Sequence, residues 1–201
     1  MLSLKIKNKR SLILKDKEIL DIFTNTGALL KGHFRLSSGL HSGDYLQCAL
    51  VLQYPEYAGG LCAKLAALFK DAKPTCVVAP ALGGVTVSYE TARALGVRSM
   101  FTERKDGKMV LKRGFTIKPD DRVLVVEDVI TTGLSTKEVL EVVRSYGAKV
   151  VGVGSIVNRS GKDIDFGVRS ASLINLDLPV FPPENCPLCE KGIEITKPGS
   201  R

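Results

Sequence analysis

Val123-Leu124-Val125-Val126-Glu127-Asp128-Val129-Ile130-Thr131-Thr132-Gly133-Leu134-Ser135-Thr136 is the stretch that decides how this chain is read. Four apolar residues in a row describe a strand buried on both faces. Two adjacent carboxylates close that run. Hydroxyl residues and a glycine then turn the chain into a helix reaching about Tyr146. In open α/β sheets ligands sit outside the carboxyl ends of the strands, and the free amides of a helix N-terminus hold anions. Glu127 and Asp128 would repel a phosphate, but they suit a ribose diol or a divalent cation held through water. An ordinary strand-turn-helix accounts for each residue singly. It leaves two carboxylates at the end of a buried strand without partners, which is costly. The run as a whole predicts a sugar-phosphate site, with acids on the hydroxyls and amides on the phosphate.

The same alternation extends in both directions. Cys76 to Ala79 is a short apolar run ending at Pro80, followed by Gly83-Gly84 and a helical stretch to Leu95. Val97 to Phe101 and Val150 to Val157 are further apolar runs. Strands alternating with helices at this spacing predict a parallel sheet with helices on its faces. Upstream, residues 16 to 30 read as one amphipathic helix, with Asp16 as N-cap and Gly27 as a possible break. A Gly/Ser-rich stretch from Leu36 to Tyr45 and a helix from about Pro55 to Phe69 follow. Thr102 to Phe115 is polar and rich in Lys, Arg and Gly, a mobile loop or a hairpin. The expectation is one α/β domain over residues 1–201, with an extension at 1–15, a small N-terminal cap and a tail at 182–201.

At 201 residues, 44% apolar and 25% charged, the chain has the composition of a folded domain with a sizeable core. No apolar window approaches the length that spans a bilayer, and Ser11 to Leu14 is too short for a signal-peptide core. Five cysteines, an odd number, fit reduced thiols and a cytoplasmic setting with no membrane partner. The net charge of +8 suits a polyphosphate substrate or nucleic acid.

The 123–136 run resembles the phosphoribosyl pyrophosphate signature of type I phosphoribosyltransferases. Three other segments resemble the orotate phosphoribosyltransferase family in particular. Gly32-His33-Phe34-Arg35-Leu36-Ser37-Ser38-Gly39-Leu40-His41-Ser42, with Tyr45, is similar to that family's N-terminal F-x-L-x-S-G-x-x-S segment. Pro80-Ala81-Leu82-Gly83-Gly84 is similar to its pyrophosphate turn, although many members carry a lysine where this chain has Gly83. Arg104-Lys105-Asp106-Gly107-Lys108 resembles the R-K-x-x-K of its catalytic loop. Met109 and Val110 stand where many members have a histidine, which leaves proton delivery to Lys108, with Arg113 as an added charge. Read alone, each of these segments is also compatible with a turn or a solvated charged loop.

The resemblance implies transfer of the phosphoribosyl group of phosphoribosyl pyrophosphate to orotate, giving orotidine 5′-monophosphate in pyrimidine synthesis, with Mg²⁺ as cofactor. It places Glu127 and Asp128 on the ribose hydroxyls, and the stretch from Val129 and Ile130 through Thr131, Thr132, Gly133 and Leu134 to Ser135 around the 5′-phosphate. Gly83 and Gly84 would take the pyrophosphate by their amides. Arg104, Lys105 and Lys108 would supply positive charge to the leaving group, so Lys108, Arg104, Lys105 and Asp128 form the catalytic set. Thr131, Ser38 and Arg159 would position orotate, the guanidinium forking onto its carboxylate. No direct protein ligand to magnesium is expected: phosphoribosyl pyrophosphate and water hold it, with Glu127 and Asp128 reaching it through water. The family also implies a homodimer in which the Lys108 loop acts in trans.

Two other readings compete. A phosphoribosyltransferase for a purine would lack a use for Arg159. A regulatory protein binding nucleic acid would leave the Arg104–Lys108 segment idle, and no nucleic-acid-binding signature is visible. Cys186-Pro187-Leu188-Cys189 has the spacing of half a zinc site, and a structural site needs four ligands. His33 and His41 fall in the segment read as a substrate loop. The expectation is therefore a reduced pair packed on the domain, the alternative being two tails meeting in a dimer.

Overall fold

The computed structural model of the protein describes residues 16–36, 38–161 and 164–197. The extension at 1–15, the Asp16 side chain, Ser37 and the last four residues lie outside the described part.

The main sheet has six strands: β3 (Cys76–Pro80), β4 (Arg98–Lys105), β5 (Lys108–Leu111), β6 (Arg122–Ile130), β7 (Lys149–Asn158) and β8 (Ser170–Asn175). Their order is β5-β4-β3-β6-β7-β8, parallel except for β5, which runs antiparallel to β4. Side-chain alternation splits the core in two. Val77, Leu124, Val126 and Ile156 pack with Ile19 and Phe23 of α1 (Asp16–Asn25), Leu61 and Leu65 of α3 (Pro55–Leu68) and Val87 of α4 (Gly83–Leu95). Val78, Val123, Val125 and Val153 pack on the other face with Val139, Leu140 and Val143 of α5 (Leu134–Ser145). The helix-flanked parallel sheet expected from 76–157 is therefore present. A short helix, α2 (Ala49–Leu52), precedes α3, and α6 (Pro187–Glu190) lies in the tail.

A second, antiparallel sheet has the order β1-β2-β9, with β1 at Leu29–Arg35, β2 at His41–Leu46 and β9 at Val180–Phe181. Here the sequence misleads. The helix expected over 16–30 stops at Asn25, and Leu29 and Leu30 belong to β1. The stop is a Schellman motif: the Ala28 amide donates to the Phe23 carbonyl at 2.8 Å and the Gly27 amide to Thr24 at 3.1 Å, with Gly27 at φ +67°. The apolar spacing at 29–30 continues the helical period by coincidence, but it serves a strand. His33 and His41, read as loop residues, sit on paired strands, with His33 at a bulge between Lys31 and Phe34.

The polar stretch 102–115 is a hairpin. Lys105 pairs with Lys108 across Asp106-Gly107, both at positive φ (+50° and +77°), as a type I′ turn requires. Met109 is buried under this hairpin among Val139, Leu140 and Val143. No helix of the described residues is long and apolar enough to cross a membrane.

Candidate active site

The two ends of β6 are treated differently. At its amino end Asp121 accepts two bonds from Arg98 (2.7 and 2.8 Å), one from the Thr75 hydroxyl (2.7 Å) and one from the Lys118 amide (2.8 Å). At the carboxyl end Glu127 and Asp128 have no cation paired to either among the described residues. The Thr136 hydroxyl donates to Glu127 Oε2 at 2.6 Å. Burial, helped by the neighbouring Asp128 charge and opposed by that bond, pushes the Glu127 carboxyl up to about 8. Burial also pushes Asp128 up, while its own amide and that of Val129 pull it down. Asp121, just before the strand, is fully compensated; Glu127 and Asp128 are held half-buried with no paired cation at the edge where α/β sheets bind ligands.

Three loops meet at that edge. The Thr131–Gly133 turn leads into α5, with Gly133 at φ +75° as N-cap. A Cβ on Gly133 would come within 3.1 Å of Ile164 and the Phe166 ring, so the turn is packed as well as left-handed. The first amides of α5 have no intrahelical acceptor and point along the helix axis toward this edge. Between β3 and α4 the chain turns through a cis Ala81–Leu82 peptide, with Leu82 87% exposed and Gly83 opening the helix. Gly83 lies directly against Asp128: a Cβ there would stand 2.7 Å from both carboxylate oxygens. Asp128 and the β3–α4 turn are therefore in contact, and a side chain at position 83 would crowd the carboxylate.

Arg159 leaves the end of β7, its amide donating to the Ile130 carbonyl at 2.7 Å. Its guanidinium is drawn down by burial and donates to the Asp44 carbonyl of β2 at 3.4 Å. A cleft of about 240 Å³ is lined by Ile130, Asn158, Phe166, Ser172 and Asn175 among others. Ser38 is exposed in the turn joining β1 to β2, where the Leu36 and Leu40 backbones bond at 2.8 Å. Lys105 and Lys108 are exposed on the β4–β5 hairpin. Arg104 on the same hairpin forks onto Glu138 of α5 at 2.5 and 3.1 Å.

The sequence reading missed several residues that shape this edge: Thr136, Glu138, Asp44, Ile164 and Phe166. Thr136 closes the quoted run without being given a role there, Glu138 follows it in the same helix, and they carry an i+9 and an inter-element relation that no local pattern shows. Ile164 and Phe166 lie in an irregular segment without periodicity.

Comparison with known proteins agrees with this geometry. A model of the phosphoribosyl transferase domain matches residues 55–177. An orotate phosphoribosyltransferase of Desulforamulus reducens is 56% identical over 185 residues, covering 92% of this chain and 97% of that protein. One from Thermotoga maritima is 55% identical over 183 residues, covering 91% and 98%. The chain belongs to the orotate phosphoribosyltransferase family. Among solved structures, the orotate phosphoribosyltransferase of Aeropyrum pernix superposes with a TM-score of 0.65 at 27% identity, over 79% of this chain and 93% of that one. The fold shared with that structure is thus the frame in which Glu127, Asp128 and Gly83 stand.

Proposed function

We propose that this protein, folded as one domain, transfers the phosphoribosyl group of phosphoribosyl pyrophosphate to orotate, giving orotidine 5′-monophosphate and pyrophosphate. The observation that carries this reading is the contact of the Asp128 carboxylate with Gly83. It joins a diol-binding acid pair to a pyrophosphate turn beside a helix N-terminus. Membership in a family whose close relatives are orotate phosphoribosyltransferases supports the choice of base.

Asp128 and Glu127 accept from the ribose hydroxyls, and the amides from Val129 and Ile130 through Ser135 hold the 5′-phosphate. The Gly83 and Gly84 amides face the pyrophosphate. Arg159 forks onto the orotate carboxylate, with Thr131 and Ser38 on the ring's polar edge. As the bond from ribose C1 to the pyrophosphate oxygen breaks and the orotate nitrogen bonds to C1, negative charge collects on the leaving group. Lys108, Lys105 and Arg104 answer that charge when their hairpin lies over the site. For Arg104 this requires exchanging Glu138 for phosphate oxygens. Two half-buried acids without a paired cation fit a divalent ion held through water; Mg²⁺ bound there would neutralise charge on the pyrophosphate. Family relationship favours a cytoplasmic homodimer in which the Lys108 hairpin serves the partner's site.

The loss of orotate absorbance on adding phosphoribosyl pyrophosphate and Mg²⁺ tests the transfer, with adenine, guanine, hypoxanthine and uracil run in parallel. Orotate consumption that needs both additions and disappears in Lys108→Ala is the expected outcome. An inert orotate beside a reactive purine or uracil would overturn the base assignment. For the shared site, mixing Lys108→Ala with Asp128→Asn protein should restore activity through hybrid dimers; no recovery would sink the trans arrangement.

A further inference from the structure

Away from the sheet edge, four side chains from distant parts of the chain converge on one point: His33 of β1, His41 of β2, and Cys186 and Cys189 flanking the first turn of α6. One ligand atom from each lies within 4.8 Å of all the others. His33 Nε2 is 3.1 Å from His41 Nδ1, 3.5 Å from Cys186 Sγ and 3.7 Å from Cys189 Sγ. Cys189 Sγ is 3.3 Å from His41 Nδ1. In a tetrahedral zinc site, bonds of about 2.3 Å to sulfur and about 2.0–2.1 Å to nitrogen put nitrogens about 3.3 Å apart and nitrogen and sulfur about 3.6 Å apart. The four nitrogen–nitrogen and nitrogen–sulfur spacings are close to those of such a shell, and every pair of the four atoms lies within 4.8 Å.

The hydrogen bonding explains why these atoms need something between them. His33 Nδ1 lies 2.8 Å from the Ile193 carbonyl. A carbonyl only accepts, so the proton sits on Nδ1 and Nε2 presents a bare lone pair. That one lone pair faces an imidazole nitrogen and two sulfurs together, and it cannot accept a hydrogen bond from all three. A cation at the centre satisfies all four. The Nδ1–H to carbonyl bond is also the outer-shell contact that fixes the tautomer and orientation of metal-bound histidines.

The fold builds this geometry deliberately. The bulge in β1 turns both His33 and Phe34 inward, against the strand's alternation. The C-x2-C turn is closed by the Glu190 amide on the Cys186 carbonyl (3.2 Å), the Gly192 amide on Cys189 (2.9 Å) and Ile193 on Leu188 (3.1 Å). His33, His41 and Cys186 are buried and Cys189 is exposed, which gives an ion a route in.

We infer that His33, His41, Cys186 and Cys189 form a structural zinc site that ties the N-terminal hairpin to the C-terminal segment. Two thiolates and one Zn²⁺ sum to zero charge, so the buried site carries no net charge. Two nitrogens and two sulfurs in a closed tetrahedron select zinc over magnesium or calcium. All four positions come from protein, which makes the site structural rather than catalytic. It is separate from the Mg²⁺ expected at the acid pair and does not rest on the base assignment. The sequence reading set the histidines aside because they fell in a presumed substrate loop; strand pairing is what brings them to the cysteines.

The test is metal analysis of the full-length protein, purified under reducing conditions without chelators, together with zinc-edge X-ray absorption. One zinc per chain is expected, with a first shell of two sulfurs at about 2.3 Å and two nitrogens at about 2.0–2.1 Å. Cys189→Ser and His41→Asn should each lose most of it. Less than a tenth of an equivalent in the wild type, with no uptake of added Zn²⁺, overturns the site. So does a shell of oxygens, or zinc content unchanged in Cys189→Ser. The wild-type measurements decide even where a variant fails to fold.

Discussion

Replacing Glu127 by glutamine should flatten the dependence of folding stability on pH. In the folded protein burial pushes this carboxyl from 4.5 to about 8, whereas the unfolded chain returns it to its ordinary value. Between those limits the folded state holds one proton more than the unfolded state. Stability is therefore greatest below pH 4.5 and is lost as pH rises toward 8, at up to about 1.4 kcal/mol per pH unit. The shift sets a ceiling of about 5 kcal/mol; water reaching this half-buried side chain reduces the effect to about 2 kcal/mol. Glutamine keeps an oxygen to accept from Thr136 and removes the titration, while every other group, Asp128 included, is common to both proteins. Urea unfolding at pH 5, 6, 7, 8 and 8.5 reads the difference directly. The variant should gain on the wild type by about 2 kcal/mol from the lowest pH to the highest. A difference that stays constant across the series would refute the assignment of an uncompensated acid to this position.

Gly83→Ala places a methyl group 2.7 Å from both Asp128 oxygens. It should raise the KM for phosphoribosyl pyrophosphate by about tenfold or more, a loss of about 1.4 kcal/mol, read by steady-state kinetics on protein checked for folding; an unchanged KM would show that Asp128 does not hold the sugar. Arg159→Ala should raise the KM for orotate by about 10- to 100-fold and leave phosphoribosyl pyrophosphate binding near the wild-type value, read by steady-state kinetics and calorimetry; equal losses for both substrates would place Arg159 elsewhere in the mechanism.

The carboxyl edge of the sheet was legible because its chemistry is local. Glu127-Asp128 and the Thr131–Ser135 turn are contiguous, and the hydrophobic runs around them have the period of a buried parallel sheet. Gly83 was legible as a turn residue, but its reason was not: the Cβ-free contact with Asp128 joins β3–α4 to β6 across 45 positions, which no spacing rule encodes. The N-terminal hairpin was misread for a related cause. Leu29 and Leu30 fit a helical period, and only the hydrogen bonds of Gly27 and Ala28 end the helix before them. β8 escaped notice because Ser170, Ser172 and Asn175 dilute its apolar pattern. Ser172 instead pairs its hydroxyl with Ser155 at 2.6 Å. The clustering of His33 and His41 with the two cysteines needed strand register and a tail fold together, neither of which is a property of any one segment.

The pairing of the tail with the first hairpin has a bearing on how the molecule is made. Thr196 bonds to His33 and Arg35 of β1, and the Pro179 carbonyl accepts from Ser42 of β2. β2 also carries Asp44, whose carbonyl meets Arg159. The hairpin leaves the ribosome before the six-stranded sheet, whereas its partners at 179–196 follow that sheet in the chain. During synthesis the wall behind Arg159 must wait, with its edge strands unsatisfied, until residues 179–196 emerge. The six-stranded sheet can assemble before that moment, so the edge carrying Glu127 and Asp128 forms first and the wall beside Arg159 is completed after it.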